Sequence, residues 1–209
     1  MSERRGRFIV LEGGDGAGKS TLQRGLVERL RAGGHTVIAT REPGGTPLGD
    51  RVRDILLAGD GSIEPLAELL LFEAARAQLV SEVIHPALDR GEVVVCDRFT
   101  ASSVAYQGYG REIGRSVVER ANAIATAGLA PDLTLLLDIP VDAGLARRAG
   151  DGATNHFDRE RTAFHERVRQ GFLELARESE GSWRVIDASQ PFETVIDDAW
   201  TAVRRLIDR

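Results

Sequence analysis

Short apolar runs alternate along the chain with longer amphipathic segments. The runs cover residues 8–11, 36–39, 93–96, 133–137 and 183–186. Because short, mainly apolar runs fit strands that are buried on both faces, we predict five strands. Most of the segments that follow them have helical spacing or a mixed character, and this alternation is typical of βαβ units. The pattern therefore predicts an α/β fold with a five-stranded parallel sheet and helices on both faces.

Two helical patterns stand out between these runs. The apolar face of the first, at residues 19–32, consists of Leu22, Leu26, Val27 and Leu30. The second covers residues 65–90 and carries apolar residues on more than one face. We expect it to kink at Pro86, which has no N–H to donate, and to end at Gly91. A helix that is apolar on several faces must lie deep in the domain or contribute to a subunit interface.

Length and composition limit the class of protein. The 209 residues fit a single domain that spans residues 1–209. A net charge of -5 gives no general attraction to nucleic acid, so we expect no nucleic-acid partner. The single cysteine, Cys96, lies in an apolar run, which predicts a core residue of a reduced, cytoplasmic protein. The first apolar run is too short for a signal peptide or a membrane span.

The segment 13–21, GGDGAGKST, contains the only lysine of the chain. It satisfies the pattern G-x-x-x-x-G-K-[ST] between an apolar strand and an amphipathic helix, which is the context that this motif requires. A compact ammonium reaches between phosphate oxygens where a planar guanidinium is too wide. We expect Lys19 to bind the donor phosphates and Ser20 to bind Mg²⁺. The predicted nucleotide-binding residues are Gly13, Gly14, Asp15, Gly16, Ala17, Gly18, Lys19, Ser20 and Thr21.

Asp15 is the unusual member of this loop, because a carboxylate that faced a triphosphate would cost free energy. We therefore expect its side chain to turn toward a hydroxyl donor or an arginine, which indicates a second ligand beside the nucleoside triphosphate. The alternative is a solvated aspartate at the tip of the loop, where a left-handed backbone is tolerated.

Polar residues also follow the predicted strand at 93–96. Asp97 and Arg98 stand at its carboxyl end, where open α/β sheets bind their ligands. Asp97 is a candidate Mg²⁺ ligand, and Arg98 is a candidate bridge between two phosphates. Both tyrosines of the chain, Tyr106 and Tyr109, lie shortly after them. They indicate a binding surface, with packing at the end of a helix as the alternative.

Several segments taken together resemble the bacterial thymidylate kinases. They are 40–46 (TREPGGT), 72–78 (FEAARAQ), 97–99 (DRF), 105–108 (AYQG) and 131–138 (PDLTLLLD). The resemblance runs from about residue 7 to residue 209 and is far more specific than the phosphate loop alone. It implies transfer of the γ-phosphoryl group of ATP to dTMP with Mg²⁺, on a P-loop kinase fold with strand order 2-3-1-4-5 and a short lid. It also implies a homodimer.

The resemblance further implies a set of residues around the thymine base. Phe72 would stack on the base and Arg76 would hydrogen-bond its O4, while Ser102 and Gln107 would line the pocket. These roles suit the residue types, since an aromatic face stacks on a base. On spacing alone, Phe72 and Arg76 also fit an ordinary helix with one core aromatic residue and one surface arginine.

A second implied set surrounds the sugar and the phosphate of dTMP. Arg53 and Arg98 would hold the phosphate with their guanidinium forks. Tyr106 would lie where a 2′-hydroxyl would sit, and Asp15 would lie near the 3′-hydroxyl. The residues implied to take part in catalysis are Asp15, Lys19, Arg98 and Arg148.

The lid, at about residues 147–160, is where the chain departs from the family pattern. Some members carry a basic residue in the phosphate loop, where this chain has Gly16, and several lid arginines are then expected. Here the lid reads NHFD at 155–158. Arg147 is implied to stack on adenine, Arg148 is the best available candidate to reach the phosphates, and Asp158 is a candidate Mg²⁺ ligand. Gln190 lies in a segment that resembles the adenine-side loop of the family.

Two other functions remain open from the sequence. The first is another P-loop kinase that acts on a different nucleoside monophosphate. The second is a nucleotide-binding homologue with little turnover, a possibility that the arginine-poor lid raises. The presence of Lys19, Ser20, Asp97 and Arg98 favours an active kinase, because phosphoryl transfer depends on these parts.

Overall fold

A parallel sheet forms the centre of the fold. The computed structural model describes residues 5–57, 63–149, 156–179 and 181–208, apart from the side chains of 148–161. The strands are β1 Arg7–Gly13, β2 Val37–Arg41, β3 Val93–Asp97, β4 Leu133–Asp138 and β5 Trp183–Asp187. They lie in the order β2-β3-β1-β4-β5, and every neighbouring pair is parallel. The predicted strands and the implied order are confirmed.

Helices fill the connections between the strands. They are α1 Lys19–Ala32, α2 Pro47–Leu57, α3 Pro65–Leu79, α4 His85–Asp89, α5 Thr100–Ser103, α6 Arg115–Thr126, α7 Val141–Ala149, α8 His156–Glu178 and α9 Phe192–Ile207. Two π-helical segments, Val80–Ile84 and Val104–Gly110, continue α3 and α5. The loop expected at 150–155 lies outside the described residues. In the described ranges we find no helix that is long and apolar enough to span a membrane.

Apolar side chains cover both faces of the sheet, as the apolar runs predict. In β1, Ile9 and Leu11 pack with α1 and α9, whereas Phe8 and Val10 pack with the α3–α4 segment on the opposite face. Helix α8 covers this second face beside β4. Cys96 is fully buried, which confirms its predicted place in the core.

The second long helical pattern is interrupted by the π-helical segment Val80–Ile84. There the N–H of His85 bonds to the carbonyl of Val80, one residue further back than in an α-helix. Pro86 has no N–H, and its ring clashes with the carbonyl four residues earlier in a regular helix. The irregular turn therefore lies just before Pro86, where we expected a kink. The predicted end is confirmed at Gly91, whose φ is 76°.

Candidate active site

The carboxyl ends of the central strands meet at one edge of the sheet and border an open cavity of about 440 Å³. Strand β1 leads there into the glycine loop, while Arg41 of β2 lies in register with Asp97 of β3. Most of the predicted site residues line this cavity, namely Asp15, Gly16, Lys19, Ser20, Arg53, Phe72, Arg76, Asp97, Arg98, Ser102, Tyr106 and Gln107. Residues that are far apart in the sequence are thus brought to one site.

The loop between β1 and α1 is shaped to receive an anion. Gly18 precedes α1 with a φ of 92°, a left-handed conformation that favours glycine. The helix begins at Lys19, and the first N–H groups of a helix have no acceptor within it. Because the helix dipole also favours negative charge at this end, the loop is suited to bind phosphate.

Lys19 is held inside the loop. It is only 7% exposed, and its Nζ donates to the carbonyls of Gly13 at 3.0 Å and Gly14 at 2.9 Å. Burial, together with the nearby charge of Arg98, lowers the pKa of Lys19 to about 7. Its cationic form is therefore poorly stabilised by the protein alone, and a phosphate oxygen in the loop would stabilise it.

Ser20 and Asp97 form an oxygen-rich pair beside Lys19. The Ser20 hydroxyl donates to Oδ2 of Asp97 at 2.7 Å, and both side chains face the cavity. Carboxylate and hydroxyl oxygens are hard ligands of the kind that Mg²⁺ prefers, so the pair fits this ion. The side chain of Asp158, the third predicted ligand, lies outside the described part of the chain.

Arg98 lies on the side of the cavity where the resemblance implies dTMP, the phosphoryl acceptor; this side is called the acceptor side. Its Nη2 donates to Oδ1 of Asp15 at 2.8 Å and to the Tyr106 hydroxyl at 3.1 Å. Its Nη1 donates to Oγ of Ser102 at 3.1 Å and to the Gly13 carbonyl at 3.2 Å. Burial raises the pKa of Tyr106 to about 12, so this hydroxyl keeps its proton and donates to Asp15 at 2.9 Å. The expectation that Asp15 turns toward an arginine and a hydroxyl is confirmed.

Arg76 lies deeper and is tied to two buried carboxylates. Its Nε and Nη2 donate to Oε2 of Glu42 at 2.8 and 2.6 Å, and its Nη1 donates to Oε1 of Glu73 at 2.6 Å. The other acceptors are Ser103 Oγ, Asn122 Oδ1 and the Phe99 carbonyl. Burial raises the pKa of Glu42 to about 7, although Arg76 opposes this shift. Because every nitrogen of Arg76 already donates to the protein, its implied contact with the base stays a prediction.

Besides Leu57, four cavity residues had no role predicted from the sequence. Arg41, Glu42 and Pro43 follow one another at the end of β2, and Ser103 ends α5. The available signal was position, since charged residues directly after a buried strand lie at the ligand edge of a parallel sheet. Ser103 carried no such signal, because its role depends on contact with Arg76.

The residues implied for the adenine side lie around the segment that follows β5. Nη1 of Arg147 donates to the carbonyl of Ala188 at 2.9 Å, and Nε2 of Gln190 donates to Oδ2 of Asp187 at 2.9 Å. The two predicted residues thus flank the same short segment. The side chain of Arg148 and most of the predicted lid are outside the described residues.

Helix α7 leaves no room for a side chain at Gly16, the loop position where some members of the family that the sequence resembles carry a basic residue. A Cβ at Gly16 would lie 2.0 Å from the carbonyl oxygen of Gly144, and its φ of 75° disfavours any side chain. A Cβ at Gly144 would in turn lie 2.5 Å from the carbonyl oxygen of Asp15. The missing charge in the loop therefore follows from the close packing of α7.

A glycine-rich loop with a buried lysine that opens into an arginine-lined cavity is the arrangement of a P-loop kinase. A family model described as thymidylate kinase matches residues 11–199 of this chain. The chain therefore belongs to the thymidylate kinase family. The thymidylate kinase of Methylococcus capsulatus is 52% identical over 97% of this chain and 97% of its own length. That of Deinococcus radiodurans is 50% identical over 95% of this chain and 97% of its own.

The Arg76 cluster leads to a prediction about stability. Arg76→Met should lower the free energy of unfolding by about 3–5 kcal/mol, because two buried carboxylates lose their counter-charge. Urea denaturation followed by circular dichroism measures the loss. The triple variant Glu42→Gln/Glu73→Gln/Arg76→Met should recover part of it. The control is Arg53→Met, which removes a partly buried bond to the Pro43 carbonyl. Equal losses in the two single variants would show that the cluster is not structural.

The packing of α7 leads to a second prediction. Gly16→Arg should lower kcat/KM roughly 100-fold rather than supply useful charge, because the new Cβ displaces the loop or α7 from its catalytic position. Gly16→Ala is the matched control, since it adds the same Cβ without the charge and should also lower kcat/KM. Steady-state kinetics compare the two. Equal activity of Gly16→Arg and wild type would mean that the loop tolerates the side chain.

Proposed function

We propose that this chain is a dTMP kinase, which transfers the γ-phosphoryl group of ATP to dTMP and yields dTDP and ADP. The observation that carries the proposal is that a single cavity joins the phosphate loop, at Lys19 and Ser20, to the acceptor residues Phe72 and Arg98. A donor and an acceptor bound there would lie next to each other. Membership of the thymidylate kinase family supports dTMP as the acceptor.

The donor side of the proposed reaction rests on the phosphate loop. Lys19 would exchange its hydrogen bonds to the carbonyls of Gly13 and Gly14 for contacts with the phosphate oxygens of ATP. These negatively charged oxygens would stabilise the ammonium, whose charged form burial disfavours. Ser20 and Asp97 would hold Mg²⁺. The ion, when bound, neutralises charge on the transferring phosphoryl group.

The acceptor side rests on arginines and aromatic residues. Arg98 and Arg53 would bind the dTMP phosphate, for which guanidinium forks are well matched. Phe72 would stack on the thymine. The Arg98 guanidinium lies 4.8 Å from the centre of the Tyr106 ring, and this stacking would hold both groups beside the sugar. The protein then contributes alignment and positive charge, which are what phosphoryl transfer requires.

The lid completes the proposed mechanism. The resemblance implies a lid over ATP at about residues 147–160, most of whose side chains lie outside the described residues, and in that lid Arg147 would lie beside adenine and Arg148 would supply charge to the phosphates. The contact of Arg147 with Ala188 supports the placement of Arg147 next to the adenine-side segment.

We also propose that the chain works as a homodimer. Helices α2, α3 and α6 pack side by side. Their exposed large apolar side chains are Leu48, Ile55, Leu57, Leu66, Leu70, Val117 and Ile124. Exposed large apolar side chains on neighbouring helices are a common feature of protein interfaces. The same helices α2 and α3 carry Arg53 and Phe72, so a partner subunit on this face would support the acceptor site.

Purified protein assayed with ATP and Mg²⁺ should phosphorylate dTMP with the highest kcat/KM among dTMP, dUMP, UMP, CMP, AMP and GMP. We expect UMP to lie about 100-fold or more below dTMP, since it lacks the base methyl group and adds a 2′-hydroxyl beside Tyr106. A coupled assay of ADP formation makes the comparison. Lys19→Met, which removes the cation of the phosphate loop, is the control and should show little turnover.

The outcomes separate the competing functions. Preference for another nucleoside monophosphate would identify a different P-loop kinase. Calorimetric binding of ATP and dTMP without formation of dTDP would identify a nucleotide-binding homologue.

The wild-type protein should have about twice the mass of the 22.7 kDa chain when measured by size-exclusion chromatography with light scattering. Leu70→Arg/Ile124→Arg should shift it to the monomer, because two charges would be buried in the interface. Leu70 is 56% and Ile124 84% exposed, so the folded monomer accommodates both changes. Val185→Arg, at a 44% exposed position of β5, is the control. A monomeric wild type would contradict the proposed homodimer but not the proposed kinase activity.

A further inference from the structure

Glu12 occupies a position in β1 where the strand pattern favours an apolar residue. It follows Phe8 and Val10 at alternate positions, on the face that packs against the α3–α4 segment, and its side chain is fully buried. Burial raises the pKa of Glu12. Because a buried carboxylate is costly unless it is well compensated, its position indicates a role beyond packing.

The compensation comes from the segment that follows Arg98. Oε1 of Glu12 accepts the N–H groups of Phe99 at 2.9 Å and Ser102 at 3.1 Å. Oε2 accepts the hydroxyl of Ser102 at 2.6 Å. One carboxylate of β1 therefore holds the beginning of α5, which is the stretch of chain directly after Arg98.

Arg98 needs such support because its backbone is strained. Its φ of 73° lies in the left-handed region, which a residue with a side chain adopts only when its surroundings hold it there. On one side its own N–H bonds to the Leu11 carbonyl at 2.9 Å. On the other side the N–H of Phe99 bonds to Glu12. Both anchors belong to β1, so this strand fixes the backbone of Arg98.

The same carboxylate also acts on the side chain of Arg98, through the hydroxyl of Ser102. Oγ of Ser102 donates to Glu12 and accepts from Nη1 of Arg98 at 3.1 Å. By accepting the hydroxyl proton, Oε2 of Glu12 orients Ser102 so that the lone pairs of its Oγ face the guanidinium.

We propose that Glu12 is a positioning residue for dTMP: it sets the backbone and the guanidinium of Arg98 in the orientation that receives the acceptor phosphate. Glu12 touches neither substrate and acts through Phe99 and Ser102. The inference rests on the proposed function of the cavity, because the phosphate is that of dTMP.

The variant Glu12→Gln tests this role. The amide oxygen can still accept the two N–H groups, but the amide nitrogen donates toward Ser102, which can then no longer donate in return. We expect the KM for dTMP to rise about tenfold, while the KM for ATP and kcat change less than about threefold. Asp132→Asn is the matched control, since Asp132 accepts the N–H of Phe8 at the opposite end of β1 at 2.7 Å. It should change neither KM.

A double-mutant cycle with Arg98→Lys separates positioning from general support of the fold. Dissociation constants of dTMP, measured by calorimetry, should show that Glu12→Gln adds less than about threefold in the Arg98→Lys background. Should Glu12→Gln fail to fold, Ser102→Ala tests the same link and should also raise the dTMP constant more than the ATP constant.

Equal shifts for both nucleotides would overturn the proposal, and so would full additivity with Arg98→Lys. Wild-type protein that does not phosphorylate dTMP would instead refute the proposed function. Active wild type with an unaffected Glu12→Gln variant would refute the positioning role alone.

Discussion

The ion pair between Asp15 and Arg98, 2.8 Å long, joins the donor loop to the acceptor side of the cavity. Two parallel neighbours, β1 and β3, end side by side, so their next residues share one small space. That space holds two cations, Lys19 and Arg98, whose repulsion contributes to the lowered pKa of Lys19. A carboxylate in this loop is then reasonable, because Asp15 pairs with Arg98 and its charge opposes the lowering of the Lys19 pKa.

Local pattern predicted the parts of the structure that local forces determine. The apolar runs became the five strands, and the glycine-rich segment became the loop that holds Lys19 and Ser20. Asp97 and Arg98 could be placed at the site because the carboxyl end of a buried parallel strand is a ligand position in any such sheet. The strand order itself came from the resemblance to a family, since periodicity does not specify which strands are neighbours.

Long-range contacts explain what the sequence could not predict. Glu73 lies three residues before Arg76 in α3, a spacing that brings side chains together on a helix. The other partners come from the end of β2, from the α5 region and from α6, and no spacing in the sequence relates them to Arg76. Glu12 did carry a signal, namely a charge where the strand alternates toward the core, but its meaning required the positions of Phe99 and Ser102. The π-helical turn before Pro86 is an intermediate case, since proline predicts an irregularity but not its form.

The close approach of Gly144 to Gly16 ties helix α7 to the phosphate loop. Because α7 lies directly on the loop, a basic side chain at Gly16 is sterically excluded. The same helix carries Arg147, whose Nη1 donates to the carbonyl of Ala188 after β5. It also lies against the backbone of Asp15, whose carboxylate accepts from Arg98. One helix therefore limits which side chain the loop can carry and contacts the backbone of the residue that holds Arg98.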